Sequence, residues 1–452
     1  MHRFSNIDEM DMQIERDAFE QLKAWKQSPH RKPLLLQGAR QIGKTWLMRE
    51  FGKREFDYVA ELNFDEMPEL RELFSRTKDT KRLISELALY VPVPIVPERT
   101  LLIFDEIQES EAALNSLKYF CENAPEYPII AAGSLLGVAV RKKSMTVPVG
   151  KVQTMSLYPL TFREFLRAAD PSTYDYIEQN LSLSHLPEII LSKLTDSYRR
   201  YMVCGGMPEA VIALLENRGM QEVDRVLGDI LYLYQADFSK YATPIEVNRI
   251  TALWQSLPSQ LSKENRKFVY NVVRSGARAR EYEDGLFWLE EAGLIYRLYN
   301  VSKPGIPLSA YRELSAFKVY ALDCGLLRRL ARLAPEVVLS GNEQYKEFRG
   351  AMAENMVLQA LVPQLNGVPY YWTSGNQAEI EFLVEHIDKV IPIEVKSATR
   401  ISGGSLSSYT SRYNPSLRVR FSMNNLQYNG GLLSIPLPLA DWIIKLLTTI
   451  AQ

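Results

Sequence analysis

Residues 38–45 read Gly-Ala-Arg-Gln-Ile-Gly-Lys-Thr, and this stretch decides the fold of the first third of the chain. Its two glycines, its lysine and its threonine fit the pattern G-x-x-x-x-G-K-[ST], in which backbone N–H groups surround phosphate oxygens. The apolar run 34–36 precedes the pattern, and residues 46–51 read as the opening of a helix. That order of strand, loop and helix places a helix N-terminus at the phosphates. The sequence therefore predicts a P-loop.

Each position of the predicted loop has an expected role. Lys44 is expected to reach the β- and γ-phosphates, and the Thr45 hydroxyl is expected to ligate Mg²⁺. Arg40 could approach phosphate, or it could remain in solvent. The predicted nucleotide-binding residues are Gly38, Ala39, Arg40, Gln41, Ile42, Gly43, Lys44, Thr45 and Trp46. The alternative interpretation is a glycine-rich turn before an ordinary helix.

A second apolar strand ends in two acids. Residues 101–104 read Leu-Leu-Ile-Phe and fit a buried parallel strand, whose carboxyl edge is where such ligands lie. Asp105 is expected to hold Mg²⁺ and Glu106 to polarise the attacking water, with Lys44 stabilising the phosphates. A further strand ends at Ser134, which could contact the γ-phosphate or the water. The alternative is that both acids are simply solvated at the end of a strand. Together with the P-loop, however, the two acids predict an ATPase with an additional strand in its sheet rather than a small-molecule kinase or a GTPase.

Composition limits the remaining classes. The chain has 452 residues, of which 46% are hydrophobic and 24% charged, and these values are typical of a globular protein with several domains. Its net charge of −1 excludes binding to nucleic acid through a positive charge of the whole protein. Binding through a local basic patch is still possible. The three cysteines are far apart and residues 1–13 carry no apolar signal core, so we expect a cytoplasmic protein. The late apolar stretch 432–447 contains prolines and charges, so no membrane span is expected.

The pattern of strands and helices divides the chain into three parts. The predicted domains are an ATPase domain over 1–165, a helical and winged-helix-like region over 166–335 and a third domain over 336–452. The predicted strands of the first domain are Leu34–Leu36, Tyr58–Asn63, Thr100–Phe104, Pro128–Ala132 and Val152–Leu157. The middle region is predicted to hold a helix–turn–helix and a strand over Asn265–Tyr299, a wing turn at 303–305 and a linker over Ala331–Gln344. The predicted fold class is therefore α/β, with a parallel P-loop sheet at the N-terminus.

A second group of acids lies in the last third. Helical spacing over Phe348–Leu365 places Glu354 on or beside the apolar face, where a carboxylate needs a partner. If the strands that follow pair as a hairpin, Glu381, Glu394 and Lys396 can converge. Two carboxylates would hold a second divalent cation, Mg²⁺ or Mn²⁺, and the lysine would position or deprotonate a water for attack on a phosphodiester. A salt-bridged sheet face is the alternative.

Two basic regions are candidates for nucleic-acid contact. Between Glu394 and Asp441 the chain has no acid, and its basic residues there are Lys396, Arg400, Arg412, Arg418 and Arg420. In the winged-helix-like segment, Arg274, Arg278 and Arg280 could contact DNA, although such modules also serve as connectors or lids in ATPases. Neither region identifies the type of nucleic acid.

These motifs together resemble the bacterial and archaeal AAA-type ATPases that carry a C-terminal domain of the restriction-endonuclease-like, PD-(D/E)xK superfamily. The matching stretches span almost the whole chain and lie at 38–45, 101–108, 131–137, 157–165, 204–211, 237–242, 289–295, 317–327, 353–361, 379–385 and 391–398. The resemblance implies nucleotide roles for Lys44, Thr45 and the acids 105–106. It implies nuclease-like roles for Glu354, Glu381, Glu394 and Lys396. The usual aspartate of that superfamily is Glu381 here, one methylene longer, which could displace the metal.

Three functions stay open at this point. The first is an ATPase that acts on, or is regulated by, DNA or another nucleic acid through a nuclease-like C-terminal domain. The second is an ATP-gated, metal-dependent nuclease, and the third is a nucleotide-dependent protein-interaction module with a catalytically dead nuclease-like domain. The chain could also form a homo-oligomer. The sequence does not place an arginine finger: Arg141 and Arg163 are possibilities, and whether such an arginine comes from a neighbouring subunit is left open.

Overall fold

A computed structural model describes residues 14–142, 145–263, 266–375, 378–398 and 404–451. Two residues named in the predictions, Asn265 and Arg400, and the segment 1–13 lie outside the described residues. Within the described ranges, no helix combines the length and the apolar character needed to cross a bilayer.

The first part of the chain alternates strands and helices, as its sequence pattern predicts. Its strands are β1 (Leu34–Gln37), β2 (Tyr58–Asn63), β3 (Thr100–Asp105), β4 (Ile129–Ala132) and β5 (Gln153–Ser156). Its helices are α1 (Ala18–Gln27), α2 (Lys44–Glu55), α3 (Pro68–Arg76), α4 (Thr80–Leu87), α5 (Glu111–Asn123) and α6 (Leu136–Lys142). All pairings in this sheet are parallel, in the order β2-β3-β4-β1-β5. Strand β4 therefore lies between the P-loop strand and the acidic strand, which is the additional-strand arrangement predicted from the sequence.

Alternation along β3 explains how this sheet is packed on both faces. Leu102 and Phe104 face one hydrophobic cluster with helices α3, α4 and α5. Leu101 and Ile103 face a second cluster, which continues through the helical region to Leu447. Because both faces are covered by apolar side chains, β3 is a fully buried strand and its carboxyl end projects the two acids toward the edge of the sheet.

Helices dominate the middle of the chain. They are α7 (Phe162–Ala169), α8 (Pro171–Asn180), α9 (Glu188–Cys204), α10 (Pro208–Leu215), α11 (Met220–Asp237), α12 (Pro244–Leu261), α13 (Tyr270–Val273) and α14 (Ala279–Glu291). The antiparallel strands β6 (Ile295–Val301) and β7 (Arg312–Ala321) follow, and α15 (Cys324–Leu330) and α16 (Pro335–Ser340) complete the region. The segment 331–344, predicted as a linker, thus contains helix α16, whose Pro335 and Val338 are buried, so that interpretation was wrong there.

The last part builds a second sheet. Its elements are α17 (Lys346–Leu365), β8 (Tyr370–Thr373), β9 (Glu379–His386), β10 (Lys389–Val395), α18 (Gly404–Tyr413), β11 (Arg418–Ser422), β12 (Gln427–Asn429), β13 (Leu432–Pro436) and α19 (Ile443–Ala451). The strand order is β12-β13-β11-β10-β9-β8-β6-β7. Strand β6 pairs with β8 through Asn300 and Tyr371, so this sheet continues across residue 335 into the middle region. The predicted hairpin forms, with Ile393 opposite Phe382.

Candidate functional site

The P-loop connects β1 to α2 and lies at the carboxyl edge of the first sheet. Gly38 and Gly43 have φ angles of 144° and 89°, which a side chain would strain. A Cβ on Gly38 would also lie 2.4 Å from the carbonyl oxygen of Leu157. Both glycines are therefore required by the path of the backbone. Of the other predicted loop residues, Ile42 is buried, Gln41 is exposed and Trp46 is 37% exposed.

Lys44 is folded back onto the loop that carries it. Its Nζ donates to the carbonyl oxygens of Gly38, at 2.9 Å, and of Ala39, at 2.7 Å. Burial lowers the pKa of Lys44 to about 8, although the nearby charges of Glu106 and Asp105 oppose the shift. The ammonium group therefore lies inside the loop, where it would contact the phosphates of a bound nucleotide.

Thr45 and Asp105 meet at the expected magnesium position. The Thr45 hydroxyl donates to Asp105 Oδ2 at 2.8 Å. Burial raises the pKa of Asp105, and the hydrogen bond from Thr45 opposes this shift. A hydroxyl and a carboxylate are oxygen ligands of the kind that Mg²⁺ takes, with phosphates and water completing its coordination. The donor set fits Mg²⁺.

Glu106 and Ser134 also lie together, at the ends of neighbouring strands. Ser134 Oγ donates to the Glu106 carboxylate at 3.2 and 3.3 Å, and Gln108 Nε2 donates to the same group. Glu106 has a φ of 50°, a left-handed conformation that is uncommon for a residue with a side chain. A Cβ at Gly133 would overlap Gln108 Oε1, so a side chain there would displace the Gln108 amide that contacts Glu106. The contacts hold the carboxylate in one orientation.

Three elements of the middle region lie against the P-loop. Helix α10 brings Pro208 Cγ to 3.7 Å from the position of a Cβ on Gly43. The turn after α14 brings Gly293 to the backbone of Ala39, and the C-terminal end of α11 contacts Arg40. The P-loop is therefore covered by the helical region as well as by its own sheet.

Sequence reasoning missed several of these neighbours. Asp237 and Tyr234 of α11 contact Arg40, and Arg16 donates to the carbonyl oxygen of Ile42 at 3.0 Å. Asp237 lies in the stretch 237–242, which is one of those that carry the family resemblance. The resemblance drew attention to this position but assigned no role to it. These contacts join residues that are up to 197 positions apart in the sequence, so no local sequence pattern could have predicted them.

The two arginines considered as arginine fingers contact other parts of the chain. The Arg141 guanidinium lies 3.5 Å over the ring of Phe287. Arg163 forms ion pairs with Asp17, at 2.8 Å, and with Glu178, at 2.7 Å. Neither contact involves the residues of the nucleotide site.

In the second sheet, the predicted acids and lysine converge. Lys396 Nζ lies 3.5 Å from Glu394 Oε1 and 3.9 Å from Glu381 Oε1, and the backbone N–H of Val395 donates to Glu381 Oε2 at 3.2 Å. Burial raises the pKa of Glu381, and the charge of Glu354 adds to the shift. Burial lowers the pKa of Lys396, but the facing carboxylates outweigh it and the net shift is upward.

Each of these acids already has a cation or a hydroxyl as partner. Glu394 accepts from Arg420 Nε at 2.7 Å. Glu354 pairs with Arg266 and accepts from the Tyr320 hydroxyl at 3.0 Å. Among the described residues, no three or more His, Cys, Asp or Glu side chains form a group that could hold a metal ion. The charges of this cluster are thus balanced by side chains of the protein.

Three different segments of the chain match models of known protein families. Residues 30–166 match the model of the AAA domain. Residues 195–337 and 349–440 match two domains of unknown function, DUF8612 and DUF4143. The curated proteins contain no match to this chain.

Several solved structures are similar at low identity. The Walker-type ATPase PABY2304 of Pyrococcus abyssi is 15% identical and aligns over 71% of this chain and 96% of its own, with a TM-score of 0.44. The ORC2 protein of Aeropyrum pernix, in ADPNP–ADP complexes, is 15% identical over 73% of this chain and 95% of its own, with a TM-score of 0.38. The ORC1 protein of Aeropyrum pernix, in complex with DNA, is 14% identical over 74% of this chain and 94% of its own, with a TM-score of 0.29. At TM-scores below 0.5, these similarities carry no conclusion about this chain.

The segment match and the geometry of the N-terminal sheet agree. The AAA domain model begins just before β1 and ends inside α7, so it contains the P-loop, both acids of β3 and Ser134. Residues 30–166 of this chain therefore form a P-loop domain similar to the AAA domain.

Proposed function

We propose that this chain hydrolyses MgATP at the carboxyl edge of its N-terminal sheet. The observation that carries the proposal is the contact between Thr45 and Asp105 beside the loop that holds Lys44. Thr45 and Asp105 would hold Mg²⁺, which draws electrons from the phosphate oxygens. Lys44 would bind the β- and γ-phosphates, and Glu106, oriented by Ser134, would accept a proton from the attacking water.

The pKa of Lys44 leads to a pH dependence of nucleotide binding. Without nucleotide this pKa is about 8, below its ordinary value, and bound phosphates would raise it. At pH values well below 8 the lysine is therefore charged, and it can bind phosphate without taking up a proton. Above pH 8 it must take up a proton to bind, so we expect the Kd for ADP to rise by up to roughly tenfold per pH unit. Calorimetric titrations between pH 7 and 10 measure this; in Lys44→Arg, whose charge persists, the rise should disappear, and an equal rise in both proteins would contradict the assignment.

Nucleic acid is proposed as the regulator of this ATPase. Arg274, Arg278 and Arg280 are exposed, and Arg249 and Arg274 line a cavity of about 520 Å³ on this surface. We expect phosphate release from ATP to require Mg²⁺ and to increase when DNA or RNA is added. The measurement compares the wild-type protein with a triple alanine variant at 274, 278 and 280. An increase that survives unchanged in the triple variant would remove this surface from the proposal.

The ion pairs of the second sheet favour a C-terminal domain that does not cleave nucleic acid. A divalent cation at Glu394 would compete with Arg420 and Lys396 for the same carboxylate, and Glu354 is held by Arg266. The ATP-gated nuclease remains the second candidate, since Lys396 lies within 4 Å of two carboxylates.

A cleavage assay distinguishes these two candidates. Plasmid and single-stranded DNA are incubated with the protein, Mn²⁺ and ATP, and the variant Lys396→Ala is compared with Lys389→Ala, an exposed lysine at the start of the same strand β10. We expect no cleavage above background in any sample, because the acids are neutralised by the protein. Cleavage by the wild-type and Lys389→Ala proteins that disappears in Lys396→Ala would instead establish the nuclease and its second metal.

A further inference from the structure

Arg40, at the tip of the P-loop, is held by the end of a helix that is far away in the sequence. Its Nη1 donates to both carboxylate oxygens of Asp237, at 2.6 and 2.9 Å. Asp237 is the last residue of α11, and its side chain is only 7% exposed, whereas that of Arg40 is 33% exposed. Hydrogen bonds between charged groups are stronger than those between neutral groups.

The same end of α11 contacts the site at two further points. The Tyr234 hydroxyl donates to the backbone carbonyl of Arg40 at 2.8 Å. Four residues after α11, the Tyr241 hydroxyl donates to Glu109 Oε1 at 3.0 Å. Glu109 lies in the single helical turn that begins directly after Glu106. The segment therefore bridges the P-loop and the turn that follows the acidic strand.

The charge of Arg40 acts on groups that would surround the γ-phosphate. It opposes the charge of Lys44, whose pKa is lowered by burial first and by Arg40 in addition. Glu106 and Asp237 both stabilise the guanidinium. Arg40 follows Ala39, whose carbonyl oxygen accepts from Lys44 Nζ, and its charge acts both on that lysine and on the carboxylate that would activate water.

We propose that Arg40 is a γ-phosphate contact supplied by the same chain, and that Asp237 is the partner it exchanges for that phosphate. A guanidinium binds a phosphate and a carboxylate in the same forked manner, so the two compete for Arg40. This inference rests on the proposed binding of ATP and names the residue that would distinguish ATP from ADP.

The exchange has a consequence for α11. When Arg40 turns to phosphate, Lys240, whose Nζ is 4.0 Å away, is the one cation among the described residues that still pairs with the buried carboxylate of Asp237. An incompletely paired buried carboxylate is costly, so the end of α11 moves away from the loop or opens to solvent. ADP lacks the γ-phosphate and leaves Arg40 with Asp237. ATP binding is therefore transmitted to the helical region through this pair.

Binding titrations test the exchange. The Kd values for ADP and for the non-hydrolysable analogue AMP-PNP are measured by calorimetry in Mg²⁺ for Arg40→Ala, Asp237→Asn and the double variant. Asp229→Asn is the matched control, since it breaks an exposed Arg–Asp pair on the same helix. We expect Arg40→Ala to weaken AMP-PNP by about tenfold and Asp237→Asn to tighten it by a similar factor, with ADP unchanged in both. In the double variant, AMP-PNP should bind as it does to Arg40→Ala.

The outcomes separate this inference from the proposed function. If Asp237→Asn changes both nucleotides equally, or still tightens AMP-PNP when Arg40 is alanine, the exchange is wrong while nucleotide binding stands. If the wild-type protein binds neither nucleotide, the proposed function itself fails.

Hydrogen exchange in the wild-type protein gives a second test that needs no variant to fold. The amides of residues 234–238 should exchange several times faster with AMP-PNP bound than with ADP bound, and those of residues 225–229 should not change. Equal exchange at 234–238 in the two complexes, or slower exchange with AMP-PNP, would overturn the proposal.

Discussion

Lys44→Ala is expected to reduce ATP turnover by roughly a hundredfold or more, because it removes a buried positive charge from the position where negative charge develops. Lys44 contributes two hydrogen bonds to its own loop before nucleotide arrives, from Nζ to the carbonyls of Gly38 and Ala39. When phosphates bind, the same ammonium group is available to them without entering from solvent. The loss should therefore affect nucleotide affinity as well as turnover.

The control for this variant is Lys53→Ala. Lys53 lies on the same helix α2 but is exposed and belongs to its last turn. Phosphate release and the thermal unfolding midpoint are measured for both variants. Turnover by Lys44→Ala equal to that of Lys53→Ala, with both proteins folded, would contradict the assignment of the nucleotide site.

Glu106→Gln is expected to separate binding from hydrolysis. The amide has nearly the same shape as the carboxylate, so Ser134 can still contact it, but the amide cannot accept a proton from water. We expect turnover to fall by about a hundredfold to ten-thousandfold while the Kd for ATP changes little. Thr45 and Asp105 remain in place, so the metal contact is unaffected.

Two measurements on this variant are needed together. Single-turnover kinetics give the rate of the chemical step, and calorimetry gives the affinity. Glu111→Gln, an exposed glutamate at the start of α5, is the matched control. Unchanged single-turnover rates in Glu106→Gln would assign the water-activating role to another residue.

Local sequence patterns predict much of this molecule because the features involved are local. The P-loop needs glycines at two fixed positions, and both have the positive φ angles that glycine permits. Strand β3 is recognisable because four consecutive apolar residues are followed by two acids, and its side chains face cores on both sides of the sheet. The hairpin of β9 and β10 was likewise predictable from alternation, with Ile393 opposite Phe382.

Contacts between distant elements were not predictable in the same way. The helical spacing around Glu354 showed that its carboxylate needs a partner, but its partners, Arg266 and Tyr320, come from other elements. The pair of Arg40 and Asp237 joins residues 197 positions apart, and nothing near either residue indicates the other. For the same reason the pattern did not indicate that β6 and β7 join the C-terminal sheet through β8.

The central claim is that MgATP is hydrolysed by the cluster of Lys44, Thr45, Asp105 and Glu106. Its most direct test is phosphate release from ATP by the purified wild-type chain, measured in Mg²⁺ and in EDTA beside the Lys44→Ala and Lys53→Ala proteins. The account predicts release in Mg²⁺ by the wild-type and Lys53→Ala proteins, and background levels in EDTA and for Lys44→Ala. Release that persists in Lys44→Ala, or that is absent from a folded wild-type protein supplied with Mg²⁺ and nucleic acid, would contradict it.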